Sequence, residues 1–204
     1  MSRARLRNLA LGLVSLVCLG FTGWVGYSLV FQPELYRVPI GGPFALEDLD
    51  GRPVTEADFS GGYLLVYFGY TYCPDFCPTE LATMTQALET LEEASPARAA
   101  RLTPLFVSLD PERDSPATLR AYMDHFHLRF RALTGSDEQI AAMADAYKVS
   151  YRRVPTEDGQ DYLIDHTAYV FLIGPDGRYV THFTPQEDAG AMSRRLVELI
   201  EAPG

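Results

Sequence analysis

The chain has 204 residues, 47% apolar and 22% charged, a composition that fits a globular protein and excludes a disordered or fibrous one. Residues 1–33 carry three arginines and no acidic group, leaving 14 basic against 27 acidic groups, a net of −13, on the remainder. A domain this acidic repels nucleic acid and anionic lipid, and three cysteines are too few for a structural disulfide framework.

Arg3, Arg5 and Arg7 precede an uncharged run from Leu9 to Phe31. Its 23 residues are enough to span a hydrocarbon core of about 30 Å. A cleaved signal peptide would have an apolar region of only about 7–15 residues and then a small-x-small site. Here the run continues through Trp24, Tyr27 and Phe31, aromatics of the kind that sit at a membrane interface. The expectation is an uncleaved transmembrane anchor over 9–31, with residues 1–8 cytoplasmic and the domain outside. Cys18 follows a bulky valine, which argues against lipidation, and reads as an apolar filler of the helix.

Residues 32–43, rich in proline and glycine, read as a linker to a domain over 44–204. Phe44 to Phe59 suits a hairpin or strand around Asp50-Gly51. The run Tyr63-Leu64-Leu65-Val66-Tyr67-Phe68 is nearly continuous and apolar, as in a strand buried on both faces. Two cysteines follow, each before a proline: Cys73-Pro74 and Cys77-Pro78. Leu81, Met84, Leu88 and Leu91 then mark one face of a helix over 79–94, with either proline able to open it. Residues 104–110 form a second apolar strand. Ser115-Pro116 opens a helix to about Phe126, and Ser136 with Gln139 boxes another through Tyr147. Residues 150–165 read as a polar excursion or hairpin, 168–173 as a third buried strand, and 178–183 as its antiparallel return. Thr184-Pro185-Gln186-Glu187 has the form of a capping box for the last helix, with Met192, Leu196, Leu199 and Ile200 on one face. Strand–helix–strand, helices, an antiparallel pair and a final helix together make a thioredoxin-like α/β fold.

Cys73 and Cys77 therefore sit where a buried strand turns into a helix N-terminus. Unpaired N–H groups and the helix dipole favour an anion there, so a thiolate forms more readily. A thiolate binds soft metals or attacks disulfides. Three intervening residues let the sulfurs diverge around an ion and still permit a disulfide. Among the histidines, His125 and His127 read as solvated and His182 as cross-strand packing. His166 lies just before the third strand, where a thioredoxin-like sheet brings a loop beside the thiol pair. Neighbouring Asp165 suits either an orienting role or a plain turn. A thioredoxin enzyme needs a proline in that loop, and 164–168 hold none; Val154-Pro155-Thr156 imitates its tripeptide without a strand after it. The peroxiredoxin spacing is absent, since Thr71 stands two residues before Cys73.

Tyr72-Cys73-Pro74-Asp75-Phe76-Cys77-Pro78-Thr79-Glu80-Leu81, Ser108-Leu109-Asp110-Pro111-Glu112-Arg113-Asp114-Ser115-Pro116 and Asp165-His166-Thr167-Ala168 resemble the motifs of the Sco/SenC family, as do Asp50-Gly51 and Asp58-Phe59. The resemblance covers about residues 40–200 and the anchor. It implies a copper metallochaperone rather than a turnover enzyme, binding Cu(I) or Cu(II) through Cys73, Cys77 and His166. It further implies an inner-membrane location with the domain facing the periplasm. The implied task is assembly of the dinuclear copper centre of cytochrome c oxidase subunit II, with another copper chaperone as a further partner. The same cysteines could instead serve a thiol–disulfide oxidoreductase acting on a partner's cysteines, or a copper or redox sensor. The Asp110–Asp114 motif has no evident role in the sequence alone.

Overall fold

The computed structural model describes residues 3–31 and 39–202, with side chains over 12–28 in the first helix. The chain divides into two compact units, Met1–Val38 and Pro39–Gly204. Helix α1 (Arg3–Phe31) belongs to the first. Leu13, Val14, Leu16, Val17, Leu19, Phe21, Trp24 and Tyr27 on it are exposed. Among the described residues no helix is long and apolar enough to cross a membrane. The anchor expected over 9–31 reaches past 12–28 at both ends, and most of the expected linker lies outside the described residues.

In the second unit, β1 (Ala45–Asp48) and β2 (Pro53–Thr55) form the expected hairpin, followed by a 3-10 turn, Glu56–Phe59. Strand β3 (Tyr63–Gly69) is buried along its whole length, as its unbroken apolar run requires. Helix α2 (Phe76–Ala94) packs the four-residue stripe, with Leu81, Met84, Leu88 and Leu91 all at 0% exposure. Neither proline opens α2: Asp75 is its cap residue and Pro78 falls at the third helical position. A first-turn proline gives up an N–H that has no intrahelical partner anyway.

After α3 (Pro96–Ala99), β4 (Leu102–Ser108) lies parallel to β3. Helices α4 (Pro116–Met123) and α5 (Asp137–Ala146) start at the serines expected, Ser115 and Ser136. Between them lies β5 (Arg131–Thr134), which sequence reading missed. Four residues carry little periodic signal; β5 is a strand because β4 pairs it on one side and β1 on the other. Strands β6 (Tyr151–Pro155) and β7 (Tyr162–His166) form a separate two-stranded hairpin. β8 (Val170–Ile173) pairs with β3, and β9 (Tyr179–Phe183) with β8. The main sheet runs β2-β1-β5-β4-β3-β8-β9. Helix α6 (Ala189–Leu199) begins later than the box at Thr184 suggested. Glu187 does accept the Thr184 N–H at 3.0 Å, but as a turn, and Asp188 caps the helix by accepting from Ala191.

Candidate metal centre

Strand β3 ends at Gly69, beside the pair of thiols. A Cβ there would lie 3.1 Å from Cys77 Sγ and 2.9 Å from Phe106, so only glycine leaves the sulfur its place. Cys73 lies half-buried in the loop after β3, and Cys77 is fully buried in the first turn of α2. The Cys77 backbone N–H donates to Cys73 Sγ at 3.3 Å, the helix-terminus donation expected of that junction. His166 ends β7 rather than sitting in a loop, and its Nε2 is 3.5 Å from Cys77 Sγ. Its Nδ1 is 3.0 Å from the Thr167 carbonyl. A carbonyl only accepts, so Nδ1 donates to it, and Nε2 is the ring nitrogen that faces Cys77. Tyr67 and Tyr70 set their rings edge-on to the imidazole at 6.3 and 6.1 Å.

The two thiols differ sharply. Cys73 is pulled down to about 3, first by the hydrogen bond from the Cys77 thiol; burial opposes this, while His166 and the N–H groups of Cys77 and Asp75 reinforce it. Cys77 is driven far above the ordinary thiol value by that same bond and by burial. At neutral pH the pair therefore carries one negative charge, on the more exposed sulfur. Burial, and then its interaction with Cys77, push the Tyr67 phenol up as well. Three residues along α2, Glu80 is raised to about 7 by burial and by Glu187.

Nitrogen and sulfur ligands at about 2.0–2.3 Å from a shared ion stand about 3.5 Å apart at a near-tetrahedral angle. The Cys77–His166 separation matches that figure, and Cys73 Sγ lies 3.3 Å from the Cys77 backbone nitrogen. Among the described residues, no group of three or more His, Cys, Asp or Glu side chains stands in a closed metal-holding arrangement. Cys77 instead contacts each of the other two, through its N–H to Cys73 Sγ and its own Sγ to His166 Nε2. A cleft of about 630 Å³ opens beside Cys73 and His166, walled by Phe76, Val154, Leu163 and Pro185.

The other candidates fall elsewhere. Asp165 points away from the imidazole and binds Arg152 at 2.9 Å. His125 is exposed, but His127 is not solvated: it lies 3.3 Å from Glu92 and its side chain is 12% exposed. His182 packs on Tyr169 at 4.8 Å, as expected of an outer-strand ring. Cys18 belongs to the other unit.

The SCO1/SenC family model matches residues 32–201. The chain belongs to the SCO1/SenC family. It is 40% identical over 165 residues to the human protein SCO1 homolog, mitochondrial, covering 81% of this chain and 54% of that relative. It thus spans about half the length of such mammalian relatives; for the mouse protein the share is 50%. The crystal structure of Arabidopsis thaliana ScoI with copper bound superposes with a TM-score of 0.74 at 37% identity, over 79% of this chain and 98% of that one. Bradyrhizobium japonicum ScoI with copper bound gives 0.70 at 38%, over 78% and 99%. The thioredoxin-like α/β fold is the one these SCO1/SenC structures share.

Sequence reading missed Gly69, whose lack of a side chain makes room for Cys77, and the two tyrosines around the imidazole. A glycine closing an apolar strand run was the available signal, since it often marks a close approach. The tyrosines gave none, because buried aromatics fill most cores.

Proposed function

We propose that this chain is a copper metallochaperone, tethered to the inner membrane, that binds copper as Cu(I) or Cu(II) through Cys73, Cys77 and His166. The observation that carries this reading is the placement of His166 Nε2 3.5 Å from Cys77 Sγ, although 89 residues separate them. Two thiolates and an imidazole form a soft donor set suited to copper. The copper-bound SCO1/SenC structures at 37–38% identity support it. The recipient is subunit II of cytochrome c oxidase, whose dinuclear centre receives the metal, and a second copper chaperone supplies it. An anchor over 9–31 is supported by the apolar side chains that α1 exposes, with the 44–204 domain on the periplasmic side. The test is anaerobic loading of the full chain and of its His166→Ala variant. Loss of affinity and an altered metal spectrum in the variant are expected; unchanged values would remove His166 from the site.

One observation favours a second activity at the same thiols. An ionised, accessible Cys73 beside a protonated, buried Cys77 is the asymmetry of an attacking and a resolving thiol. In this step the Cys73 thiolate attacks a partner disulfide, forming a mixed disulfide and releasing one partner thiolate. Cys77 then loses its proton and attacks Cys73, releasing the second. Two electrons pass to the partner, and the chain keeps the disulfide. Metal-free protein should reduce such a disulfide with Cys73 required and His166 dispensable; absence of exchange leaves only the copper role.

A further inference from the structure

The Asp110–Asp114 motif lies outside the three donors yet touches both walls that carry them. On one side, buried Asp114 accepts from the Thr71 N–H at 3.1 Å, the Thr71 hydroxyl at 2.5 Å and the Ser108 hydroxyl at 2.6 Å, holding the loop that leads to Cys73. On the other, Arg113 reaches the β6–β7 hairpin. Its Nη1 donates to the Tyr162 carbonyl at 2.9 Å and to Asp161 at 2.6 Å, while Nε donates to buried Asp110 at 2.5 Å. Asp110 also accepts from the Tyr162 hydroxyl at 2.8 Å. The guanidinium lies 3.6 Å from the Tyr162 ring centre and 4.8 Å from that of Tyr72, the neighbour of Cys73.

The hairpin needs such an anchor. A lone two-stranded hairpin is marginal in water, and of these two strands only Ile164 is buried. Tyr162, Ile164 and His166 alternate onto one face of β7, so what fixes Tyr162 fixes the imidazole one strand-length further on. The exposed Arg153–Glu112 pair adds little by comparison.

We propose that Arg113 is a positioning residue of the metal centre: by clamping Tyr162 between itself and Asp110, it holds hairpin β6–β7 so that His166 faces the sulfurs before metal arrives. This rests on the copper reading above. The test uses the full chain and Cu(I), with affinity measured by competition against a chromophoric chelator, for wild type, R113M, R113K, H166A and R113M/H166A. R113M should weaken binding about tenfold or more, the usual cost of losing a group that orients a ligand. R113K should not restore it, since an ammonium cannot bridge a carboxylate, a carbonyl and two rings. In the H166A background R113M should cost nothing further, and in metal-free R113M the amides of 162–166 should exchange faster. Wild-type affinity in R113M, or an equal loss with and without His166, would overturn the proposal. If wild type binds no copper, the copper reading fails by itself and the amide exchange still decides whether Arg113 holds the hairpin. Should R113M lose its near-UV circular dichroism, Tyr162→Phe, which deletes one hydroxyl, is read in the same cycle by the same criterion.

Discussion

Cys73 owes its thiolate character to its neighbour more than to the helix terminus, because the Cys77 hydrogen bond is the largest influence on it. A titration follows from this. Alkylation of Cys73 by iodoacetamide should be nearly independent of pH from 5 to 8 and fall only toward pH 3, while Cys77 stays unreactive in the folded chain. Cys77→Ala should move the alkylation midpoint upward toward the ordinary thiol range; a midpoint that stays near 3 would show that the helix N–H groups suffice. Glu80 works in the opposite sense. Its folded value is raised above the unfolded one, from 4.5 to about 7, so the native state binds the extra proton and stability falls as pH rises through that window. Glu80→Gln should therefore gain about 1–3 kcal/mol at pH 8 and little at pH 4, read by urea denaturation at the two values.

Among the elements, β3 and α2 set the site, and the join between them tolerates little. Gly69→Ala would push a methyl to 3.1 Å from Cys77 Sγ. The expected outcome is a chain that keeps its far-ultraviolet circular dichroism but binds copper less tightly; equal affinity would show that the sulfur has room to retreat. Deep in the same packing, Leu88 is fully buried on α2, and Leu88→Ala should cost about 2–5 kcal/mol in a urea melt through the cavity it leaves. These two elements were legible beforehand, since an unbroken apolar run and a 3-4-3 stripe each point to one structure. The helix start was not: proline is compatible with several first-turn positions, and the strand exit decides which residue becomes the cap. The box at Thr184 misled for a related reason, because its side-chain bond forms equally well in a turn that precedes the helix.

At the scale of the whole molecule, the proposed copper centre can form only in the folded state. The cysteines come from the β3–α2 junction and the imidazole from a hairpin 89 residues away, so copper should bind the native chain far better than the unfolded one. Mass action then predicts stabilisation of about 2.7 kcal/mol at a hundredfold excess over Kd, a rise of about 5–10 °C in Tm. The Cys73/Cys77 double alanine variant should show no shift, and a shift of equal size there would place the metal elsewhere.

The sequence alone determined the secondary elements with strong periodicity, the thioredoxin-like order, the thiol pair at a strand-to-helix junction, and the family, because these are local patterns or short motifs. Tertiary structure decided that β5 is a strand, that His166 ends a hairpin with its Nε2 toward Cys77 while Asp165 turns away, and that the Asp110–Asp114 loop braces both walls of the site. Each of these depends on partners distant in the chain, and the free energy of a hydrogen bond or a ring contact across such a gap is set only when folding closes it.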